Sequence, residues 1–321
     1  MKRRTKKLSR TRKRKPKGTH QRRTKRRKPT MGRKKQNPRR TKRKHQRNKI
    51  KRDKQRKHKN IGKQPIPRKP LRNYQYNIAI PSYHRLDTFA KKTYEKVIKP
   101  HKLEDRVILF LQNDEDEKDY HARFPKLKIV RSPPGYHDTL NYISKYFPLE
   151  QHYVKMDDDL SGFFTVKDGF VEKKGKLLPV KNVDKMFQKC FREMDLAGAN
   201  LGGFYPSASW FRGPRVSRDL RFIIGACYCV RNQKIFLPED NTKSDFELTI
   251  KYYQRDCAVV RMNRYGFRTS YAAKGGIERT LKSENRDNER LFRKYPKFIK
   301  RTIKHKNGTT SLVLIKNACV V

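Results

Sequence analysis

From Tyr76 onward, short apolar runs alternate with amphipathic stretches, and the periodicity predicts strand and helix in turn. Asn77–Pro81 is a short apolar strand. Asp87 stands where a cap would start a helix running to Ile98, with Pro100 as its stop. Val107–Leu111 is a second apolar strand and ends in Gln112-Asn113-Asp114-Glu115. A short helix to Arg123, a strand over Leu127–Val130 and a rigid Pro133-Pro134-Gly135 loop follow. A helix over Asp138–Tyr146 then precedes a fourth strand, His152–Met156, which delivers Asp157-Asp158-Asp159.

Beyond this triplet the pattern changes. Asp168-Gly169 lies between Phe164-Thr165-Val166 and Phe170-Val171, a hairpin signal. Val183, Met186, Phe187, Cys190, Phe191 and Met194 recur at helical spacing, so Val183–Leu196 is a helix with those residues in the core. A glycine-rich stretch from Gly198 to Gly203 leads through Phe204-Tyr205 to a basic aromatic loop around Trp210. Phe222–Val230 is a long apolar run expected to form a central strand. A helix from the Ser244-Asp245-Phe246-Glu247 segment to Arg255, a strand at Val259–Met262, a Gly275-Gly276-Ile277 turn, a helix over Glu284–Tyr295 and a last strand, Ser311–Ile315, complete the reading.

Brief apolar strands separated by helices indicate an α/β fold with a mostly parallel central sheet covered on both faces. Ligands of such sheets collect at the carboxyl ends of the strands. Three polar clusters fall there: Ser82-Tyr83-His84-Arg85, Asn113-Asp114 and Asp157–Asp159. Three crowded carboxylates at the end of a buried strand repel one another and lose hydration. A divalent cation, Mg2+ or Mn2+, is the usual remedy, and it keeps open positions for nucleotide phosphates. The first and third carboxylates, Asp157 and Asp159, can share it. The plainer reading is a solvated acidic loop.

Charge adds a second domain of a different kind. Residues 1–70 contain 36 of the 84 Lys and Arg but, in Asp53, one of the 30 acids, so they carry +35 of the formal net charge of +54; the rest carries +19. With hardly an apolar residue among them, residues 1–72 are expected to be a disordered polybasic tail, and 73–321 the folded domain. Such a tail binds nucleic acid, addresses the nucleus or contacts acidic lipid; without amphipathic periodicity or a lipidation signal, the membrane is the least favoured partner. Affinity for nucleic acid would come from counterion release and fall steeply with salt. The chain shows no apolar run of about 18 residues and no hydrophobic signal region. The expectation is a soluble, intracellular protein of the nucleus or another DNA-containing compartment, such as a viral replication site. Among the cysteines, Cys227 and Cys229 share one face of a strand, which suits packing better than zinc, and reduced buried thiols are expected.

The order of these motifs resembles a known group. Ile80-Pro81-Ser82-Tyr83-His84-Arg85, the acidic triplet, Ser244-Asp245-Phe246-Glu247 and Gly275-Gly276-Ile277 look like the GT-A glycosyltransferase fold and, more narrowly, the TET-associated glycosyltransferase family. The resemblance spans roughly Tyr76 to Gly276. It implies a nucleotide-sugar transferase, with UDP-sugar the expected donor, and in the narrower family a role in glycosylating hydroxymethylated pyrimidines such as hydroxymethylcytosine in DNA. The strong positive charge is independently suited to a polyanionic acceptor.

The resemblance also implies roles. Asp157 and Asp159 would hold the metal, which neutralises the departing diphosphate. Asp158 would contact ribose or the sugar. Pro81, Ser82, Tyr83 and Arg85 would lie near base and phosphate, with Tyr83 stacking on the base or packing as a rim aromatic, and Arg85 pairing with a phosphate or with an acidic neighbour. Asn113 and Asp114 match the place where such folds read the base edge. Asn141 would face the crevice or simply be a solvated helix residue. An inverting transfer needs a base for the acceptor proton, and Asp245 or Glu247 is the candidate, Asp245 favoured, with Asp240 or Glu239 next. Residues i and i+2 of a helix diverge, so one of the pair serves at most; a retaining enzyme needs neither. Trp210, beside Arg212 and Arg215, would clamp a nucleic-acid strand or pack under a surface loop. The competing classes are a glycosyltransferase for a protein or glycan, a non-catalytic nucleic-acid-packaging protein, and a metal-dependent nuclease.

Overall fold

The computed structural model describes residues 65–166, 177–206, 214–238, 242–269, 280–301, 310–316 and 318–320. The tail up to residue 64, the Asp168-Gly169 hairpin, the Trp210 loop through Gly213, Glu239, Asp240 and the Gly275-Gly276-Ile277 turn lie outside them.

The first half of the domain is a βα alternation. Strand β1 (Tyr76–Pro81) leads into α1 (Leu86–Phe89), which runs on into a π-helix (Ala90–Ile98). Then come β2 (Val107–Leu111), α2 (Asp114–Arg123), β3 (Lys128–Arg131), α3 (Tyr136–Tyr146) and β4 (His152–Met156). The second half holds β5 (Gly162–Val166), β6 (Leu177–Pro179), α4 (Val183–Ala197), β7 (Leu201–Tyr205), β8 (Val216–Ser217) and β9 (Cys227–Arg231). It continues with α5 (Ser244–Asp256), β10 (Val260–Arg268), α6 (Leu281–Lys294), β11 (Ile299–Arg301) and β12 (Leu312–Leu314).

Ten of the described strands form one mixed sheet in the order β3-β2-β1-β4-β9-β7-β10-β5-β6, with β8 on β10. Among these described strands the block β3-β2-β1-β4 is parallel throughout. Strand β9 inserts antiparallel between β4 and β7, and β7 and β10 return to the original sense. The parallel block aligns the carboxyl ends of β1, β2 and β4 along one edge, where Ser82 and Arg85 meet Asp158 and Asp159.

Alternation along the strands divides the core in two. Ile78, Ile80, Leu109, Leu111, Val154, Met156, Cys227 and Cys229 point to the layer formed by α1 and α4, where Phe89, Val97, Phe187 and Phe191 meet them. Ala79, Ile108, Phe110, Tyr153, Tyr228 and Val230 point to the opposite layer, with Leu140 and Ile143 of α3 and Leu248 and Tyr252 of α5. Every residue of β2 is buried, as a strand covered on both faces requires.

Several local expectations change in three dimensions. Asp87 lies in the first turn of α1 rather than at its cap, and its carboxylate accepts from Arg123 at 2.8 Å. The glycine-rich stretch starts at Gly198, the C-cap of α4, and its Gly202 and Gly203 lie in strand β7. A Cβ on Gly202 would come within 2.7 Å of Cys190 Sγ and Met194 Sδ, and one on Gly203 within 2.6 Å of Ile223 Cγ2, so glycine lets α4 and the 220s segment close on the two faces of the strand. Regular pairing in the run Phe222–Val230 begins at Cys227; Phe222–Gly225 is irregular and ends in a turn at Gly225-Ala226. Strand β5 pairs with β6, beyond the Asp168-Gly169 signal. Cys190, Cys227 and Cys229 are buried free thiols, but Cys257 and Cys319 form a disulfide with Cα atoms 5.5 Å apart across 62 residues, a proximity that no local spacing announces. Residues 65–72, assigned to the tail by composition, include a docked segment: Arg68 donates its backbone N–H to Asp195 O at 2.7 Å and Nε to Asp195 Oδ1 at 2.8 Å.

Candidate functional site

The acidic triplet sits in a turn held by two neighbours, the Gly225-Ala226 turn and Thr93. The Asp157 amide donates to Ala226 O at 2.8 Å, linking the end of β4 to the Gly225-Ala226 turn. Thr93, fully buried in the π-helical segment of α1, donates to Asp157 O at 3.2 Å and accepts from the Leu160 amide at 2.9 Å. Successive side chains in this turn therefore project to different sides of the sheet edge.

Asp158 points to the loop after β1. Its Oδ2 accepts from Ser82 Oγ at 2.5 Å, and its Oδ1 pairs with Arg85 Nη1 at 3.0 Å. The Ser82 hydroxyl is also 2.8 Å from the Tyr120 hydroxyl of α2. Asp159 Oδ2 accepts from Arg85 Nη2 at 3.0 Å, and its Oδ1 accepts from the Thr269 hydroxyl. One guanidinium thus bridges two consecutive carboxylates. Asp158 is almost wholly buried, and burial pushes its carboxyl up to about 7 although Arg85 and Ser82 pull the other way.

Asp157 faces the α3 side, as its two-residue offset from Lys155 dictates. The Lys155 ammonium, with no solvent exposure, donates to Asp157 Oδ1, to Gly225 O at 2.8 Å and to the Tyr136 hydroxyl at 3.1 Å. Burial by itself would push this ammonium down, but Asp157 outweighs it and holds Lys155 well above its ordinary range, hence charged. Asp245, in the first turn of α5, accepts from the Gly225 amide at 3.4 Å and so stands on the far side of the same peptide segment.

Of the residues expected at the site, Ser82, Arg85, Asp157, Asp158 and Asp159 are brought together, and Asp245 adjoins them through Gly225. Pro81 is buried at the end of β1, and Tyr83, 47% exposed, lies at the rim with its ring 4.1 Å from that of His84. The other residues expected at the site make contacts of their own. Asn113 caps α2, accepting from the Asp116 amide at 2.7 Å, and Asp114 is exposed beside Arg131. Asn141 bonds both ways with the Leu237 backbone, at 2.8 and 2.7 Å, and so pins the segment leading to α5. Glu247 is fully buried and accepts from Lys294 at 2.7 Å and Tyr295 at 2.8 Å. Burial pushes its carboxyl up, but these two donors hold it below the usual range.

Three residues at the site escaped the sequence reading. Lys155 was hidden within an apolar strand, and its signal was a lysine two positions before an acidic cluster. Asp116 accepts from the His84 amide at 2.9 Å, fixing the loop that carries Arg85, where His84 has φ 50°. Thr269 comes from the end of β10, 110 residues away from Asp159.

The carboxylate oxygens at the site are hard donors of the kind a divalent cation takes. Asp157, Asp158, Asp159 and Asp245 supply four carboxylates against two cations, Arg85 and Lys155, and Asp157 retains partial exposure. Among the described residues no group of three or more His, Cys, Asp or Glu, the aspartates included, is gathered closely enough to hold a metal ion by itself. No helix of the described residues is long and apolar enough to cross a membrane.

No protein-family model matches this chain. No curated protein matches it in sequence. Among solved structures it is similar to the mannosyltransferase PcManGT from Pyrobaculum calidifontis in complex with GDP-Man and Mn2+, at 12% identity and TM-score 0.46 over 76% of this chain and 68% of that one. It is also similar to GalNAc-T7 with UDP, GalNAc and Mn2+, at 10% identity and TM-score 0.42 over 70% and 50%. A third is glucosyl-3-phosphoglycerate synthase from Mycobacterium tuberculosis in complex with Mn2+, UDP and glucosyl-3-phosphoglycerate, at 13% identity and TM-score 0.39 over 76% and 88%.

Proposed function

We propose that this chain is a metal-dependent glycosyltransferase that moves a sugar from a nucleotide-sugar to a hydroxyl, with a hydroxymethylated pyrimidine in DNA as the acceptor. The observation that carries the reading is the convergence of Ser82, Arg85 and the three aspartates at the carboxyl edge of the parallel block, with Asp245 across Gly225. A carboxylate cluster at that edge suits a nucleotide diphosphate and its cation.

Asp157 and Asp159 would hold Mn2+ or Mg2+, which when bound supplies charge neutralisation for the leaving diphosphate. The chain's own residues do the rest. Tyr83, at the rim, offers a face for the nucleotide base. Arg85 supplies a guanidinium to phosphate. Asp158, held by Ser82, orients ribose or sugar hydroxyls. Asp245 takes the acceptor proton in an inverting transfer. Glu247 shapes the α5–α6 contact and has no part in the chemistry. The formal charge of +54 favours a polyanionic acceptor, and the tail would add salt-sensitive affinity without sequence preference.

The test is transfer. Purified protein with Mn2+ is offered a panel of labelled nucleotide-sugars together with DNA that does or does not contain hydroxymethylated pyrimidines. Label on the modified DNA alone supports the proposal. Transfer only to protein or glycan moves the acceptor elsewhere, and no transfer from any donor defeats it.

A further inference from the structure

We infer that Arg85 is an exchangeable counterion, which pairs with Asp158 and Asp159 and would move to the donor diphosphate when a metal takes its place. The inference rests on the glycosyltransferase reading above and deepens it.

Asp158 engages Arg85 and Ser82; Asp159 engages Arg85 and Thr269; Asp157 engages Lys155 through Oδ1. Five of the six carboxylate oxygens therefore accept from a protein donor, and Asp157 Oδ2 is the one without a partner among the described residues. A bare divalent cation finds a single ready ligand unless a resident cation withdraws.

Two resident cations are present, and they differ in freedom. Lys155 is fully buried and anchored three ways, to Asp157, Gly225 O and the Tyr136 hydroxyl. Arg85 lies in the loop between β1 and α1, beside exposed Tyr83 and His84, and its Nε is buried without any hydrogen-bond partner. A guanidinium has five N–H donors in a fixed fork. An Arg that binds two carboxylates with Nη1 and Nη2 while Nε is left unsatisfied carries a desolvation cost that a better-placed anion would relieve. The diphosphate of a nucleotide is such an anion, and it can accept from Nε and Nη together. Its arrival frees an oxygen of Asp159 for the cation that enters with it. Metal and nucleotide would thus bind together, each strengthening the other.

The experiment measures Mn2+ binding by calorimetry and by the electron paramagnetic resonance of the free ion, with no donor sugar and no acceptor. Removing a positive charge about 3 Å from the ligand oxygens should tighten binding of Mn2+ alone by roughly tenfold or more in Arg85→Met. UDP should strengthen Mn2+ binding much more in the wild type than in that variant. Arg85→Lys keeps a charge beside Asp158 and Asp159, should fold if the methionine variant does not, and should show an intermediate affinity together with a reduced UDP effect. Equal or weaker Mn2+ binding by the variants overturns the exchange while leaving the transferase reading intact. Absence of Mn2+ binding by every form at millimolar concentration, with UDP present, overturns the metal reading and the exchange with it.

Discussion

Lys155 and Asp245 meet at opposite ends of one glycine: the ammonium donates to Gly225 O at 2.8 Å, and the carboxylate accepts from Gly225 N at 3.4 Å. Through that residue the end of β4, the turn before β9 and the start of α5 are tied together. The carboxylate proposed as base and the carboxylate proposed as metal ligand therefore share one rigid support.

Asp245→Asn should abolish most turnover, by about 10²–10⁴-fold, because a general base is removed while the shape is kept. Nucleotide affinity should change little. Glu247→Gln should behave in the opposite way, lowering stability by about 1–3 kcal/mol through the weakened bonds to Lys294 and Tyr295 and leaving turnover per folded molecule near normal. Steady-state kinetics and denaturant melts on the two variants check this, and loss of turnover in Glu247→Gln alone would reverse the assignment.

Asp157→Ala strands the buried Lys155 ammonium and should cost about 3–5 kcal/mol. The double variant Asp157→Ala/Lys155→Met removes both charges, so most of that stability should return while transfer stays absent. Melting curves and activity measured side by side separate the structural share of the pair from its chemical one.

His152 gives the fold an acid-sensitive limb. It lies between Tyr74 and Phe191, with ring centroids 5.2 and 5.0 Å away, and burial pushes its imidazole from 6.5 down to about 4. Between those two values the unfolded chain binds the proton and the folded one does not, so stability falls as pH drops through that window and is unaffected by this group above it. His152→Phe should flatten the stability profile between pH 6.5 and 4, measured by urea unfolding across pH. An unchanged acid limb would place the titrating group elsewhere.

Deleting residues 1–64 should leave the folded domain intact and sharply reduce the salt slope of DNA binding. The cut belongs there rather than at residue 72, because Arg68 donates to Asp195 and Ala199 and a longer deletion would remove those bonds. Fluorescence anisotropy over a salt series reads the slope; one that survives the deletion would assign the phosphate contacts to the domain.

What the sequence determined by itself was whatever depends on local period and composition. β2 and β4 follow the predicted bounds residue for residue, and Asp157–Asp159 stand at the end of a buried strand as their apolar prelude implied. Tertiary structure decided what depends on distant partners. The cations beside the trio come from residue 85, about 70 positions upstream, and from a lysine concealed in the strand; the Thr269 hydroxyl arrives from β10. Asn113, Asn141 and Glu247 read as polar residues near a crevice, yet each is consumed by a cap, a loop anchor or a helix contact. A polar side chain takes the nearest partner that packing supplies, and where that partner lies 47 or 96 residues away, as for Glu247 with Lys294 and Asn141 with Leu237, no period in the chain announces it.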